Sequence, residues 1–193
     1  MSLRSRSFCA LVSLAIVGCS DDGQPGPARQ RVGTAASSDV VFAAVVEDDI
    51  SVYVCGGATT FATHTRWFRD VALGDDGSFE ATLEGWTITG TADDDAITAE
   101  LVGPADETLD LDGRAAREDT LEGLYTQTLD GCATGLVMRA GEGGEYLSQG
   151  TWCSDQNEFA QVIVLEPVLT SDGIHVEVTK PDGMTDDFYV EPI

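Results

Sequence analysis

The chain has 193 residues, 42% of them hydrophobic, and carries 34 acidic against 10 basic side chains, a formal charge of −24 at pH 7. Such a charge repels phosphate backbones, which excludes nucleic-acid partners, and it equally repels anionic lipid headgroups. The apolar fraction is enough for a packed core, which excludes wholesale disorder, and the length fits one domain or two small ones.

Arg4 and Arg6 lie at the start of the chain, and no acid appears before Asp21. An apolar stretch runs from Phe8 to Val17, interrupted by Ser13. It has the length of the apolar part of an export signal and falls short of the roughly twenty residues a spanning helix needs. It ends in Ile16-Val17-Gly18-Cys19, which resembles the lipobox of bacterial lipoprotein precursors. The resemblance covers about the first twenty residues. It implies a signal peptide over residues 1–18, cleavage before Cys19, a diacylglyceryl thioether on that cysteine and an acylated amine, with palmitate-type chains. Two acyl chains suffice for stable anchoring where one does not. The expected location is therefore the cell envelope, outside the cytoplasm, with the membrane as a partner through lipid. Ser20 stands where some bacteria use aspartate for inner-membrane retention, which favours the outer membrane. The leader takes two arginines and no acid with it, so what remains is more acidic still.

Residues 19–38 read as a flexible tether, with Asp21-Asp22-Gly23-Gln24-Pro25-Gly26-Pro27 and little to bury. Its r.m.s. reach is roughly 20–25 Å. Residues 39–193 read as a β-rich domain. Short runs rich in Val, Ile, Thr and aromatics are predicted as strands at Val40–Val46, Ile50–Cys55, Ser78–Leu83, Trp86–Ala92, Ala96–Val102, Leu109–Ala115, Gly123–Leu129, Thr134–Arg139, Tyr146–Cys153, Phe159–Glu166, Ile174–Thr179 and Asp187–Glu191. Asp-Gly pairs at Asp76-Gly77, Asp130-Gly131, Asp172-Gly173 and Asp182-Gly183 supply the positive φ of tight turns. Short connections make neighbours antiparallel. The fold class is all-β: an antiparallel meander closed as a barrel or packed as a sandwich. Ile97-x-x-Glu100-x-x-x-Pro104-x-x-x-Thr108-x-Asp110 recurs as Ile174-x-x-Glu177-x-x-x-Pro181-x-x-x-Thr185-x-Asp187, which suggests two related β-units over residues 39–120 and 121–193.

Val52-Tyr53-Val54-Cys55-Gly56-Gly57, Trp67-Phe68, Gly77, the run Trp86–Thr91 with Gly90, and Gly123-Leu124-Tyr125 resemble a β-rich repeat of secreted bacterial proteins of uncharacterised function. Members often place glycine after the aromatic pair, where this chain has Arg69-Asp70. The resemblance implies a β-fold outside the cytoplasm and supplies no catalytic residue.

Among five cysteines, Cys9 leaves with the leader and Cys19 takes lipid, leaving Cys55, Cys132 and Cys153 in an oxidising compartment. If Arg139 pairs with Tyr146 across the turn Gly141-Glu142-Gly143-Gly144, Cys132 stands opposite Cys153. A Cys132–Cys153 disulfide is then expected, with Cys55 a leftover, buried thiol.

The two histidines, His64 and His175, are not at metal-motif spacing, and the chain has no CxxC, nucleophile elbow or phosphate-cradling loop. A Ser-His-Asp triad can assemble from distant residues, but nothing marks one. The expectation is a protein that is not an enzyme and holds no cofactor, with calcium the most credible ion. Asp93-Asp94-Asp95, Asp110-x-Asp112-Gly113 and Asp186-Asp187 cluster hard oxygen ligands in loops, and Asp110 and Asp112 are the candidate calcium ligands; the bland alternative is a solvated acidic surface. Arg66-Trp67-Phe68-Arg69 is a basic-aromatic patch on an acidic chain. Exposed, Arg66, Trp67 and Arg69 would dock an acidic partner or stack on a sugar; buried, Trp67 belongs to the core, which is the preferred reading. The leading function is a non-catalytic, lipid-anchored envelope protein with a β-rich interaction domain. The rivals are a calcium- or glycan-binding module and an inhibitor of a hydrolytic enzyme.

Overall fold

The computed structural model describes residues 29–193 except 37, 119, 130–131, 142, 154–158, 163–167, 171–172 and 180–182; at 128–129, 132–133, 168–170, 178–179 and 186–188 it describes backbone alone. The leader, Cys19 and the first part of the tether lie outside these residues. Among the described residues no helix is long and apolar enough to cross a membrane.

The structure is all-β and antiparallel, in two units. The first unit has eight strands: β1 (Arg29–Ala35), β2 (Val41–Val46), β3 (Asp49–Cys55), β4 (Arg66–Ala72), β5 (Ser78–Leu83), β6 (Trp86–Ala92), β7 (Ala96–Val102) and β8 (Thr108–Ala115). A one-turn helix, α1 (Phe61–His64), precedes β4. The sheet order is β4-β3-β2-β1-β8-β7-β6-β5, a meander whose first and last strands are neighbours. It curls until β4 and β5 meet at the single bridge Leu73↔Phe79, giving a nearly closed barrel. The second unit contains β9 (Gly123–Thr126), β10 (Thr128–Leu129), β11 (Cys132–Ala133), β12 (Gly135–Ala140), β13 (Tyr146–Cys153), β14 (Phe159–Val162), β15 (Val168–Thr170), β16 (Gly173–Thr179) and β17 (Thr185–Pro192). β10 and β11 form a small ribbon, and the rest order as β14-β13-β12-β9-β17-β16-β15, a half-barrel.

Among the described residues the second order repeats the first with one strand fewer, the place of β5 being the one without a counterpart. The recurring sequence motif marks the same hairpin in both units. Glu100 lies opposite Asp110 and Val102 opposite Thr108, while Glu177 lies opposite Asp187 and Thr179 opposite Thr185. The two large sheets divide the chain between β8 and β9.

Period-two alternation explains the packing. Phe42 and Ala44 of β2, Ile50, Val52 and Val54 of β3, and Ile88, Ile97, Leu101 and Leu111 fill the barrel. The opposite faces of β1–β3 supply Val32, Val41, Ala43, Val45 and Tyr53, which pack with Leu124 and Val137 of the second unit. β2 is therefore buried on both faces and reads as an unbroken apolar run. Leu136, Met138, Trp152, Ile174, Val176 and Val190 form the core of the half-barrel. Trp86 and Trp152 are core residues, as expected.

Three expectations are corrected. Residues 29–35, assigned to the tether, are β1, the strand that joins β2 to β8. Its arginines hid it: Arg31 lies on the same face as Gly33 and Ala35, is buried, and donates through Nε to the Asp93 carbonyl at 3.1 Å, while Arg29 pairs with Asp94. The run Gly123–Leu129 breaks into β9 and β10. The β12–β13 register pairs Arg139 with Leu147 and Ala140 with Tyr146, one residue from the expected alignment, and Cys132 belongs to the ribbon, opposite Leu129. Counting along the hairpin therefore does not select the disulfide. Cys153 is buried and disulfide-bonded; the Cys132 side chain lies outside the described residues. Cys55 is a buried free thiol.

Across the β4–β5 seam the ladder is reduced to one bridge, so few hydrogen bonds must open to expose it. In native-state hydrogen exchange, seam-facing amides of β4 and β5 are expected to exchange before those of β1, β2 and β8. Equal protection would mean that the barrel is fully closed.

Candidate functional site

The sequence patch Arg66-Trp67-Phe68-Arg69 opens β4, and alternation splits it. Phe68 points into the barrel, while Trp67 is half-buried on the outside and packs against Tyr53, ring centroids 4.7 Å apart. Trp67 thus packs, half-buried, against the core on the outer face of β1–β3, while its neighbour Phe68 fills the barrel. Arg69 is exposed, with its guanidinium 4.2 Å from the centre of the Trp67 ring. Arg66 lies 4.0 Å over Trp86, and its Nε donates to the His64 carbonyl at 3.2 Å. Burial lowers the Arg66 pKa, opposed by Glu84 and Glu107. Asp70 takes the left-handed conformation, φ 51°, and its N–H donates to Ser51 Oγ at 3.2 Å. That local kink accompanies the register shift between Ile50 and Val52.

Trp67 forms one wall of a half-open cleft of about 600 Å³ between the units, with Tyr53, Phe61, Thr65, Arg66, Thr151 and Phe159 around it. Tyr53 is its hinge pin. Its ring lies against Gly135, where any added Cβ would stand 2.6 Å from Cζ, so only glycine admits the ring. Its hydroxyl donates to Thr151 Oγ1 at 2.8 Å across the junction. Burial pushes the Tyr53 hydroxyl well above its usual pKa. The helix carrying Phe61 is fixed by Asp39, whose carboxylate accepts from Thr60 Oγ1 at 2.5 Å, and from the Thr59 N–H at 2.9 Å and hydroxyl at 2.8 Å. These bonds, Thr60's first, hold Asp39 at about 2. Gln149 Nε2 donates to the Cys55 carbonyl at 2.7 Å and the Asp39 carbonyl at 3.1 Å, tying β13 to the barrel. Phe159, 58% exposed, stands at the mouth.

Chemistry elsewhere is sparse. Burial raises the Cys55 thiol, the reverse of what a nucleophile needs. His64 packs edge-on to Trp86, centroids 4.8 Å apart, and His175 lies against Tyr189 in the other unit. Asp110 and Asp112 sit on an exposed strand, not in a loop, with Glu100 opposite Asp110 and Thr98 opposite Asp112. Asp93 caps its own turn, accepting from the Asp95 N–H at 2.8 Å and the Ala96 N–H at 2.7 Å. Among the described residues no group of three or more His, Cys, Asp or Glu gathers to hold a metal. The side chains of Asp186 and Asp187 lie outside the described ones.

Sequence reasoning passed over a second cluster at the junction. Glu122, just before β9, is buried between Arg114 of β8 and Arg117 of the linker. Its carboxylate accepts from Arg114 Nη1 at 2.9 Å, Arg117 Nε at 2.9 Å and the Ala140 N–H at 2.9 Å, and also from Arg114 Nη2. Arg139 of β12 lies nearby. The available signal was scarcity: of ten basic residues in the chain, Arg114, Arg117 and Arg139 fall within one short stretch.

No protein-family model, curated protein or solved structure matches the chain.

Proposed function

We propose that the chain is a non-catalytic cell-envelope protein, held by lipid on Cys19 outside the cytoplasm, on the outer membrane, and that its β-rich body binds a partner at the cleft between its units. The aromatic cleft carries this reading: a rigid hollow of ligand size, mostly apolar walls, and a few polar groups at fixed positions. The sealed Cys55 thiol and the separate settings of His64 and His175 support a binding role over a catalytic one. A Cys132–Cys153 disulfide, proposed as the partner bond of Cys153, would brace β13 beneath the cleft.

Aromatic walls with the Thr65 and Thr151 hydroxyls beside them favour a glycan over calcium as ligand. The test is titration of the full chain with chitotetraose while following tryptophan fluorescence. A saturable change is expected, weakened at least about fivefold, a loss on the order of 1 kcal/mol of ring contact, in Phe159→Ser. A flat titration would remove the glycan reading. The protein-partner reading would then rest on a photocrosslinker placed at position 159 in cells, and absence of any crosslinked envelope component would end it. For the anchor, Cys19→Ser is expected to abolish incorporation of a palmitate analogue; retained label would refute lipidation at that residue.

A further inference from the structure

Among the described residues no acid pairs with Arg139, in a chain that has acids to spare. Among the described residues its side chain forms no hydrogen bond or ion pair, and its Nε is buried with no acceptor. It lies on β12 two residues from Val137, which packs against the barrel, so alternation turns Arg139 to the same face. Two adjoining cavities, about 510 and 330 Å³, share Arg139 and Thr34 as lining residues. The larger is walled by Val40, Val41, Val137, Tyr146 and Leu147.

Among the described residues, the acids around it are committed or turned away. Asp39 is held by Thr59 and Thr60. Glu122 is held by Arg114 and Arg117. Glu145 and Asp112 are exposed and make no ion pair with Arg139. Three guanidiniums thus surround one carboxylate, and Arg139 is the one left over. Burial, then the charge of Arg114, lowers the Arg139 pKa, and Glu122 only partly offsets them. A partly desolvated, uncompensated guanidinium is costly, and a carboxylate that pairs with it in bidentate fashion removes the cost.

We propose that this groove binds a small organic monocarboxylate: its carboxylate pairs with Arg139, and its apolar body lies on Val40, Val41, Val137 and Leu147. The site is separate from the aromatic cleft, and its test does not depend on what the cleft binds. The apolar walls select a tail, which a free phosphate lacks, and the acidic surroundings limit the ligand to a single negative charge.

The experiment is the melting temperature of the full chain in increasing sodium octanoate, against sodium chloride at matched ionic strength. Octan-1-ol and inorganic phosphate serve as the tail without charge and the charge without tail. Octanoate alone is expected to raise the melt in a saturable way. Arg139→Gln is expected to weaken octanoate at least tenfold while leaving the ligand-free melt unchanged or higher, because an unpaired charge has gone. Should Arg139→Gln not fold, Leu147→Glu, which places a carboxylate opposite Arg139 in the strand pair, is expected to raise the ligand-free melt and abolish the octanoate shift. Octanoate acting like chloride, a shift unchanged by these substitutions, or an equal shift with phosphate would each overturn the assignment.

Discussion

Glu122→Ala is expected to lower unfolding free energy by about 3 kcal/mol, read from urea midpoints at pH 7, because removing one partner of a buried ion pair strands the others. The side chain of Glu122 is fully buried, whereas those of Arg114 and Arg117 are half exposed, so the low end of the usual range applies. The loss falls on the junction: Glu122 joins β8 and the linker of the first unit to the Ala140 amide of the second. Burial raises the Glu122 carboxyl, but Arg114, the Ala140 amide and Arg117 together pull it down from 4.5 to about 2. A depressed carboxylate contributes stability that is fully present above its unfolded pKa and is lost as pH falls through the folded value. Native stability should therefore decline from about pH 4.5 toward pH 2. Glu122→Gln should be flatter in that window than the parent chain. A variant with the parent's slope would show that Glu122 is not the responsible group.

Phe42→Ala is expected to cost about 3–5 kcal/mol, the range for emptying a fully buried aromatic site. Phe42 lies inside the barrel over the facing pair Gly33 and Gly113 of β1 and β8. A Cβ added at Gly113 would stand 2.8 Å from Phe42 Cζ and 2.8 Å from Ile97 Cγ2. The aromatic ring thus fills the space that two glycines leave, and it joins β2 to the β1–β8 pair. Gly113→Ala should accordingly be severe alone and much milder on the Phe42→Ala background. A double-mutant cycle with no coupling would remove this account of how β2 packs on the β1–β8 pair.

The strands that were legible in the sequence are short runs rich in Val, Ile, Thr and aromatics bracketed by turn signals. Ser78–Leu83, Trp86–Ala92, Ala96–Val102 and Tyr146–Cys153 occupy the predicted bounds, because both the run and the turn that ends it are local. The repeat was legible for a related reason: a hairpin keeps its register through local turns, so Glu100 with Asp110 and Glu177 with Asp187 preserve a spacing that survives in sequence. The strand β1 was illegible because its stability comes from two flanking ladders and from an arginine satisfied by a carbonyl sixty-two residues away. No local pattern records such a partner.

The sequence by itself determined the all-β class and the two β-units, and it carries the lipobox on which the proposed anchor rests. Each follows from composition, alternation or a contiguous motif. Only the tertiary structure decided which side of β4 Trp67 occupies, which acids stay solvated, and which arginine is left without a partner. Those depend on β3 meeting β13 and on β1 and β2 meeting β9 and β12. A cleft and a groove between units are made of residues far apart in the chain, and their chemistry exists only once that closure has brought them together.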